Sequence, residues 1–198
     1  MHDDVFFRLM NGSCCSQFFT YHCELQAAKY KKKGTDGIMA LRTIRTYGDE
    51  ILEKKCREVK DMKPRYRELI DDMLETMYEA QGVGLAAPQV GVLRKIVVID
   101  VTEEADSPIV LINPEILELS GEQTGQEGCL SLPGKAGIVT RANYAKVKAL
   151  NEEMQEIIVE GEGLLARALQ HEVDHLAGEM YVSKVEGDLL DTTQASEE

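Results

Sequence analysis

The chain has 198 residues and a net charge of −13, with 43% hydrophobic and 29% charged residues. This length predicts one domain with a sizeable core, and the absence of any apolar run near the ~20 residues of a membrane helix argues against a membrane protein. The acidic charge argues against nonspecific binding to nucleic acid, because a basic surface supplies most of that affinity, and we expect no DNA partner. The five cysteines form no disulfide framework, so we expect a reducing, cytoplasmic location.

Residues 1–38 differ from the rest of the chain. They show no sustained helical or strand periodicity, and they lack both the apolar core of a secretory signal and the arginine-rich composition of a transit peptide. We therefore expect this extension to be disordered, or an artefact of an upstream start codon or of cloning, with Met39 as the functional N-terminus. Residues 39–198 carry a net charge of −14 and are expected to form a single domain, with an acidic tail that is mobile from about residue 187.

Two helices and five strands are predicted within this domain. Apolar residues recur at helical spacing over residues 64–81, with Pro64 suited to the first turn and Gly82 to the position just past the end. A second helix is predicted at residues 163–177, ended by Gly178. Apolar, β-branched segments between the helices predict strands at residues 95–101, 109–112, 115–119, 144–150 and 155–160. Strands clustered between two helices favour an α+β fold with largely antiparallel strands.

The second helix carries the strongest chemical signal, the sequence HEVDH at residues 171–175. Residues four apart lie one turn above each other on a helix, so His171 and His175 can bind one metal ion. Glu172 lies about 100° around the helix from His171, close enough to reach a metal-bound water. This is the H-E-x-x-H arrangement of metal hydrolases.

A solvated surface helix with two free histidines is the competing interpretation. Residues 39–198 contain no other histidine, however, and the second helix is apolar on most of its circumference, which predicts burial. Buried polar groups need partners, so two histidines at metal-ligand spacing favour ligation. We therefore expect antiparallel strands packed around a buried helix that carries the H-E-x-x-H motif.

A hydrolytic metal site usually has three protein ligands and one open position. Tyr181 occupies the place where one class of metalloprotease has a third histidine, and Glu186 in the acidic tail is poorly supported. Cys129 is the upstream candidate, because a thiolate is a soft ligand for zinc or ferrous iron, although most free cysteines are small buried hydrophobes. A third segment, residues 82–91, is rich in small residues that allow a backbone or a ligand to approach closely.

The three segments together resemble the peptide deformylase family. That family carries a Gly-x-Gly-Leu-Ala-Ala-x-Gln block, a Glu-Gly-Cys-Leu-Ser block and a Gln-His-Glu-x-x-His block, which correspond here to residues 82–89, 127–131 and 170–175. Residues 41–49 are similar to the family's opening, so the resemblance covers about residues 39–185. It implies a single catalytic domain that removes the N-formyl group from the initiator methionine of nascent polypeptides and releases formate.

The resemblance also implies a metal centre. One Fe2+ ion per chain would be held by Cys129, His171 and His175, and Zn2+, Ni2+ or Co2+ would be able to substitute. A metal-bound water would attack the formyl carbon, with Glu172 acting first as general base and then as general acid.

The substrate contacts follow from the same resemblance. The Gln89 side-chain amide and the Leu130 backbone N–H would stabilise the oxyanion, and the substrate backbone would lie along Val83 and Gly84 as an added strand. The helical wheel adds that Leu164 and Ala168 share the face of the two histidines. We therefore expect an apolar pocket for the methionine side chain, lined by Val83, Leu164 and Ala168.

Two other functions are less consistent with the sequence. An H-E-x-x-H metallopeptidase that cuts internal peptide bonds is disfavoured by the missing downstream ligands and by the intact block around Cys129. A small domain with a structural metal is disfavoured because structural sites fill all four positions with protein ligands, and the sequence offers three.

Charges near the site and in the tail give two further predictions. Lone charges at Glu127 and Arg141 flank the turn at residues 133–134 and are expected to pair across neighbouring strands. After Arg167 the chain has one basic residue, Lys184, against eight acidic ones. The expected partners are N-formylmethionyl nascent peptides, and any contact with the ribosome is not expected to use this tail.

Overall fold

The computed structural model describes residues 40–192. The expectations for residues 1–38, for Met39 and for the last six residues lie outside this range. The described chain contains two α-helices, α1 (Pro64–Glu79) and α2 (Gly163–Ala177). Its strands are β1 (Gly84–Ala86), β2 (Ile96–Ile99), β3 (Ile109–Ser120), β4 (Gln123–Gly128), β5 (Lys135–Arg141), β6 (Tyr144–Leu150), β7 (Glu156–Glu162) and β8 (Leu190–Asp191).

The strands form two antiparallel sheets, which confirms the predicted α+β class. The larger sheet has the order β1-β2-β3-β6-β7, and the smaller has the order β4-β5-β8. Helix α2 contacts β1, β6 and β7 of the larger sheet and buries most of its length. The helix with the H-E-x-x-H motif is therefore enclosed by strands, as predicted. Neither helix of the described chain has the length and hydropathy that a transmembrane span requires.

Two apolar clusters stabilise this arrangement. One packs α1 against the sheet through fully buried residues such as Met73 and Met77. The other packs α2 against the sheet, with Leu169 next to strand residues that include Val97 and Val147. Complete burial of a side chain such as Leu169 contributes on the order of 2 kcal/mol, so the second cluster fixes the helix on which the candidate ligands lie.

The first helix ends earlier than predicted. It stops at Glu79, and the left-handed residue beyond its end is Gln81, with φ of 60°, in place of Gly82. At Gly82 a Cβ would lie 2.7 Å from Leu130 Cδ1, so a larger residue there would displace the Leu130 side chain. The glycine allows the segment before β1 to pack closely on the loop that carries Cys129.

The two strands predicted at residues 109–112 and 115–119 are one strand, β3. The register against β6 shifts between Ile112 and Glu115, where Asn113 adopts φ of 52°. The Asn113 side chain accepts from Val59 N at 2.9 Å and donates to Val59 O at 2.8 Å. A β-bulge held by these bonds bends the strand without ending it, which explains why the sequence indicates a turn here.

The smaller sheet has three strands, and none of them is predicted from the sequence. β4 and β5 pair from Gln123 with Arg141 to Gly128 with Ala136. In the acidic tail, Leu190 pairs with Ala136, and Asp191 forms an ion pair of 2.6 Å with Lys135. Leu190 and Asp191 of the acidic tail therefore form a strand that the composition of the tail does not predict.

Candidate active site

Helix α2 and the loop after β4 bring three metal-ligating side chains together. The Nε2 atoms of His171 and His175 are 3.2 Å apart, and Cys129 Sγ lies 3.3 Å from His175 Nε2. All three ligand atoms lie within 4.8 Å of one another. Nitrogen and sulfur ligands around a tetrahedral zinc-sized ion are roughly 3.3–3.6 Å apart, given the usual bond lengths. The donor set and its spacing therefore fit one metal ion.

Glu127 orients the first of the two histidines. His171 Nδ1 lies 2.6 Å from Glu127 Oε1, which makes Nδ1 the donor and leaves the Nε2 lone pair directed towards Cys129 and His175. Burial raises the pKa of the Glu127 carboxyl, but hydrogen bonds from Arg141 and His171 outweigh it and hold that pKa well below its usual range. The carboxylate therefore stays ionised as an acceptor.

Two arginines hold Glu127 in place. Arg141 donates to both carboxylate oxygens, at 2.7 and 2.6 Å, and Arg167 Nη1 donates to Oε2 at 2.8 Å. The Glu127–Arg141 ion pair predicted from the sequence is therefore confirmed. Both side chains are only 4% exposed, and Arg141 Nη1 also donates to Asp174 at 2.9 Å, so Glu127 and Arg141 belong to a buried network of charges.

Glu172 lies beside the ligands and is 4% exposed. In the described chain its Oε2 has no hydrogen-bond partner. Burial raises the pKa of Glu172 to about 7, although the neighbouring His171 acts in the opposite direction. A carboxyl group with a pKa near neutrality suits proton transfer in both directions, as general acid–base catalysis requires.

Gly84 on β1 gives the Glu172 side chain its space. A Cβ at Gly84 would overlap Glu172 Oε1 and lie 2.9 Å from its Cδ. The glycine is therefore needed for close approach between β1 and α2, in agreement with the small residues that the sequence places there.

Substitution of Gly84 by alanine is expected to displace the Glu172 carboxyl and lower the catalytic rate by roughly 10–100-fold, since a misplacement of about 1 Å has effects of this size. Metal content should be unchanged. Gly125→Ala is the matched control, because a Cβ at Gly125 would be 3.5 Å from the nearest side-chain atom, an ordinary contact. Equal rates for the two variants in a steady-state assay would contradict this placement.

Gln89 directs an amide donor towards Cys129. Its Oε1 accepts from Ala86 N at 2.8 Å, so the NH2 group faces Ser131 Oγ at 3.1 Å and Cys129 Sγ at 3.5 Å. Gln89 is almost completely buried, and this bond to the backbone fixes the orientation of the amide.

One cavity of about 700 Å³ contains nearly all of the predicted site residues. Val83 and Leu164 are partly exposed and Ala168 is buried. His175 is 1% exposed and does not line the cavity. The cavity is lined by nine of the ten site residues that the sequence predicts, namely Val83, Gly84, Gln89, Cys129, Leu130, Leu164, Ala168, His171 and Glu172.

Sequence reasoning missed two residues of this site. Ser131 is completely buried and contacts the Gln89 amide, and its place in the block with Cys129 is a signal that could have indicated it. Arg167 belongs to a polar strip on α2 that the helical wheel identifies, but nothing in the wheel indicates that it reaches Glu127 on β4. That contact depends on the packing of the two sheets around α2.

Known proteins resemble this chain over the same residues. The family model for polypeptide deformylase matches residues 41–189. A peptide deformylase from Agathobacter rectalis is 65% identical over 78% of this chain and 96% of its own, and one from Lachnoclostridium phytofermentans is 61% identical over 81% and 98%.

Solved structures have the same fold. The crystal structure of a peptide deformylase from Legionella pneumophila has a TM-score of 0.72 at 44% identity and covers 74% of this chain and 87% of that one. A Met-Ala-Ser-bound structure from Acinetobacter baumannii has a TM-score of 0.70 at 34% identity, covering 75% and 100%. The resemblance inferred from the motifs is thereby confirmed. The chain belongs to the polypeptide deformylase family, metal-dependent enzymes that remove the N-formyl group from nascent peptides.

Proposed function

We propose that this chain deformylates N-formylmethionyl peptides with one metal ion held by Cys129, His171 and His175. The observation that carries the proposal is the convergence of these three ligand atoms beside the buried Glu172 carboxyl, whose Oε2 has no hydrogen-bond partner within residues 40–192. We further propose that the native ion is Fe2+, with Zn2+, Ni2+ or Co2+ able to substitute, since a thiolate and two imidazoles suit these ions. When bound, the ion would supply Lewis-acid activation of water and of the formyl carbonyl.

Glu172 moves the proton in the proposed reaction. Its carboxylate takes a proton from the attacking water and then delivers it to the amine that leaves as the C–N bond breaks. The products are formate and a peptide with a free amino group. The close packing of Gly84 against Glu172 supports this role, because the Glu172 Oε2 atom makes no hydrogen bond within the described chain and is available to the water.

The backbone and an amide position the formyl group in this proposal. The Gln89 NH2 group and the Leu130 N–H donate to the oxyanion that develops on the formyl oxygen. β1 is the terminal strand of the larger sheet, so its outer edge at Val83 and Gly84 is suited to accept the substrate backbone as an added strand. The Met-Ala-Ser tripeptide bound to the Acinetobacter baumannii relative is what deformylation of a formylated tripeptide would leave.

The methionine side chain is proposed to lie in the part of the cavity formed by Val83, Leu164 and Ala168. Ala168→Phe should fill this space and lower kcat/KM for formyl-Met peptides by about 10-fold or more. Even one methylene group too many or too few in an apolar pocket changes kcat/KM by about this factor. Metal content should stay at the wild-type value. Ala177→Phe is the matched control, since Ala177 is exposed on the same helix and lies outside the cavity. Wild-type kinetics for Ala168→Phe would remove this placement of the side chain.

A paired activity assay tests the proposed function. The enzyme should release formate from formyl-Met-Ala-Ser and should leave casein uncut under the same conditions. Cleavage of casein without formate release would favour the H-E-x-x-H metallopeptidase instead.

We propose that the enzyme acts in the cytoplasm and does not use its tail to bind the ribosome. Lys184 lies 2.6 Å from Asp174 and 3.2 Å from Glu179, so this cation is already paired with carboxylates. RNA affinity depends on cations that are free to neutralise phosphates, so the tail should contribute little.

Ribosome co-sedimentation at low salt tests the tail. The full chain and a chain that ends at Val185 are expected to sediment to the same extent. Salt-sensitive binding of the full chain that disappears on truncation would show that the tail does bind.

A further inference from the structure

A second cavity, of about 440 Å³, is rich in arginine and shares no residue with the catalytic cavity. It lies between the first turn of α1, the chain around Arg57 and the loop before β2. Four arginines line it, namely Arg42, Arg57, Arg65 and Arg94. A volume of this size is within the range of about 300–1,000 Å³ that small-molecule sites occupy.

Two of these arginines converge on the hydroxyl group of Tyr66. Arg94 Nε donates to the Tyr66 hydroxyl at 2.9 Å, and Arg65 Nη2 donates to the same oxygen at 3.2 Å. The Arg65 guanidinium also lies 5.0 Å from the Tyr66 ring centre. Tyr66 is only 7% exposed, so its packing in the core fixes the position of the side chain that both arginines contact. The hydrogen bond from Arg65, followed by that from Arg94, lowers the pKa of Tyr66 against the effect of burial.

Backbone bonds place a third arginine beside the pair. Arg57 N donates to Leu93 O at 3.3 Å, and Lys95 N donates to Arg57 O at 2.9 Å. These two bonds form a parallel bridge between Arg57 and Arg94. The three guanidinium groups therefore come from separate segments that the fold holds around one cavity.

Three of the four arginines have no carboxylate partner in the described part of the chain. Arg42 is neutralised by Asp72, to which it donates at 2.8 and 2.6 Å. Within residues 40–192, by contrast, Arg57, Arg65 and Arg94 form no ion pair, and the acidic residue that lines the cavity, Glu68, pairs with none of them. Like charges held together are unfavourable, so an anion between them would be stabilised.

We propose that this cavity binds a small phosphate-bearing ligand through Arg57, Arg65 and Arg94. Planar guanidinium groups match the oxygens of phosphate and can bind them in bidentate fashion. The Tyr66 hydroxyl accepts from two arginines, which leaves its own O–H to donate to a phosphate oxygen. A polyanion such as RNA is disfavoured as the ligand, because residues 39–198 carry a net charge of −14 that repels it at long range.

Calorimetric titration of the full-length, metal-loaded enzyme with inorganic phosphate and diphosphate, at constant ionic strength, tests the site. An Arg65→Gln, Arg94→Gln double variant should bind about 10-fold or more weakly, as expected for the loss of charged hydrogen bonds. Arg67→Gln is the matched control, because Arg67 lies in the same turn of α1 but contacts Glu152 O at 3.1 Å and does not line the cavity. Its affinity should equal that of the wild type, and deformylation should be unchanged in all variants.

A single Arg57→Gln variant keeps the test valid if the double variant fails to fold. Arg57 is exposed and its side chain forms no bond in the described chain, so its loss should weaken binding without affecting the fold. Absence of phosphate and diphosphate binding at concentrations on the order of 10 mM would overturn the proposal. So would an equal loss of affinity in Arg67→Gln, or arginine-dependent binding of an oligouridylate RNA by an enzyme that does not bind diphosphate.

Discussion

Replacement of Glu172 by glutamine is expected to lower kcat/KM for formyl-Met peptides by roughly 10²–10⁴-fold, the usual contribution of a general acid–base group. Glutamine has nearly the same shape, so it should fit beside Gly84, but it cannot accept a proton from water. The metal content should remain that of the wild type, because the three proposed ligands are untouched. Steady-state formate release together with elemental analysis measures both quantities.

Glu179→Gln is the control for this substitution. Glu179 is an exposed residue just beyond α2, where the same chemical change should leave the rate unchanged. A Glu172→Gln enzyme that keeps more than about one tenth of the wild-type rate would show that proton transfer uses another group.

Cys129→Ser is expected to lose the metal and the activity together. A serine hydroxyl is a harder and far less acidic ligand than a thiol, so the affinity for Fe2+ or Zn2+ should fall steeply. Cys56→Ser is the matched control, since Cys56 is buried and lies outside the catalytic cavity. That variant is expected to be less stable but to retain its metal.

The metal content of both variants is to be measured after anaerobic purification, because a thiolate ligand is open to oxidation. A Cys129→Ser protein with one ion per chain would exclude Cys129 as a ligand. The same result would leave the two histidines without their proposed third partner.

Local sequence patterns predicted the parts of the site that depend on one element. The spacing of His171, Glu172 and His175 and the apolar circumference of their helix are properties of α2 alone. They therefore indicate a buried motif without reference to any tertiary contact. Cys129 required the coincidence of three separate blocks, because nothing in its own segment distinguishes a ligand from a small core residue.

Local sequence patterns do not predict the parts of the fold that depend on packing between distant segments. β4 contains two glycines and only polar residues besides, so it lacks the alternation that identifies a half-buried strand. Its position is fixed by pairing with β5 and by the buried contact of Glu127 with Arg167 on α2. The bulge at Asn113 depends on Val59, which is 54 residues away. Such contacts carry no signature in the local sequence.

Metal titration of the metal-free enzyme with Fe2+ under anaerobic conditions, followed by formate release from formyl-Met-Ala-Ser, tests the proposed centre most directly. Activity should rise linearly with added metal and reach its plateau at one ion per chain, because residues 40–192 contain one such set of ligands, formed by Cys129, His171 and His175. Full activity in the metal-free enzyme, or a plateau at two ions per chain, would contradict a single catalytic metal at this site.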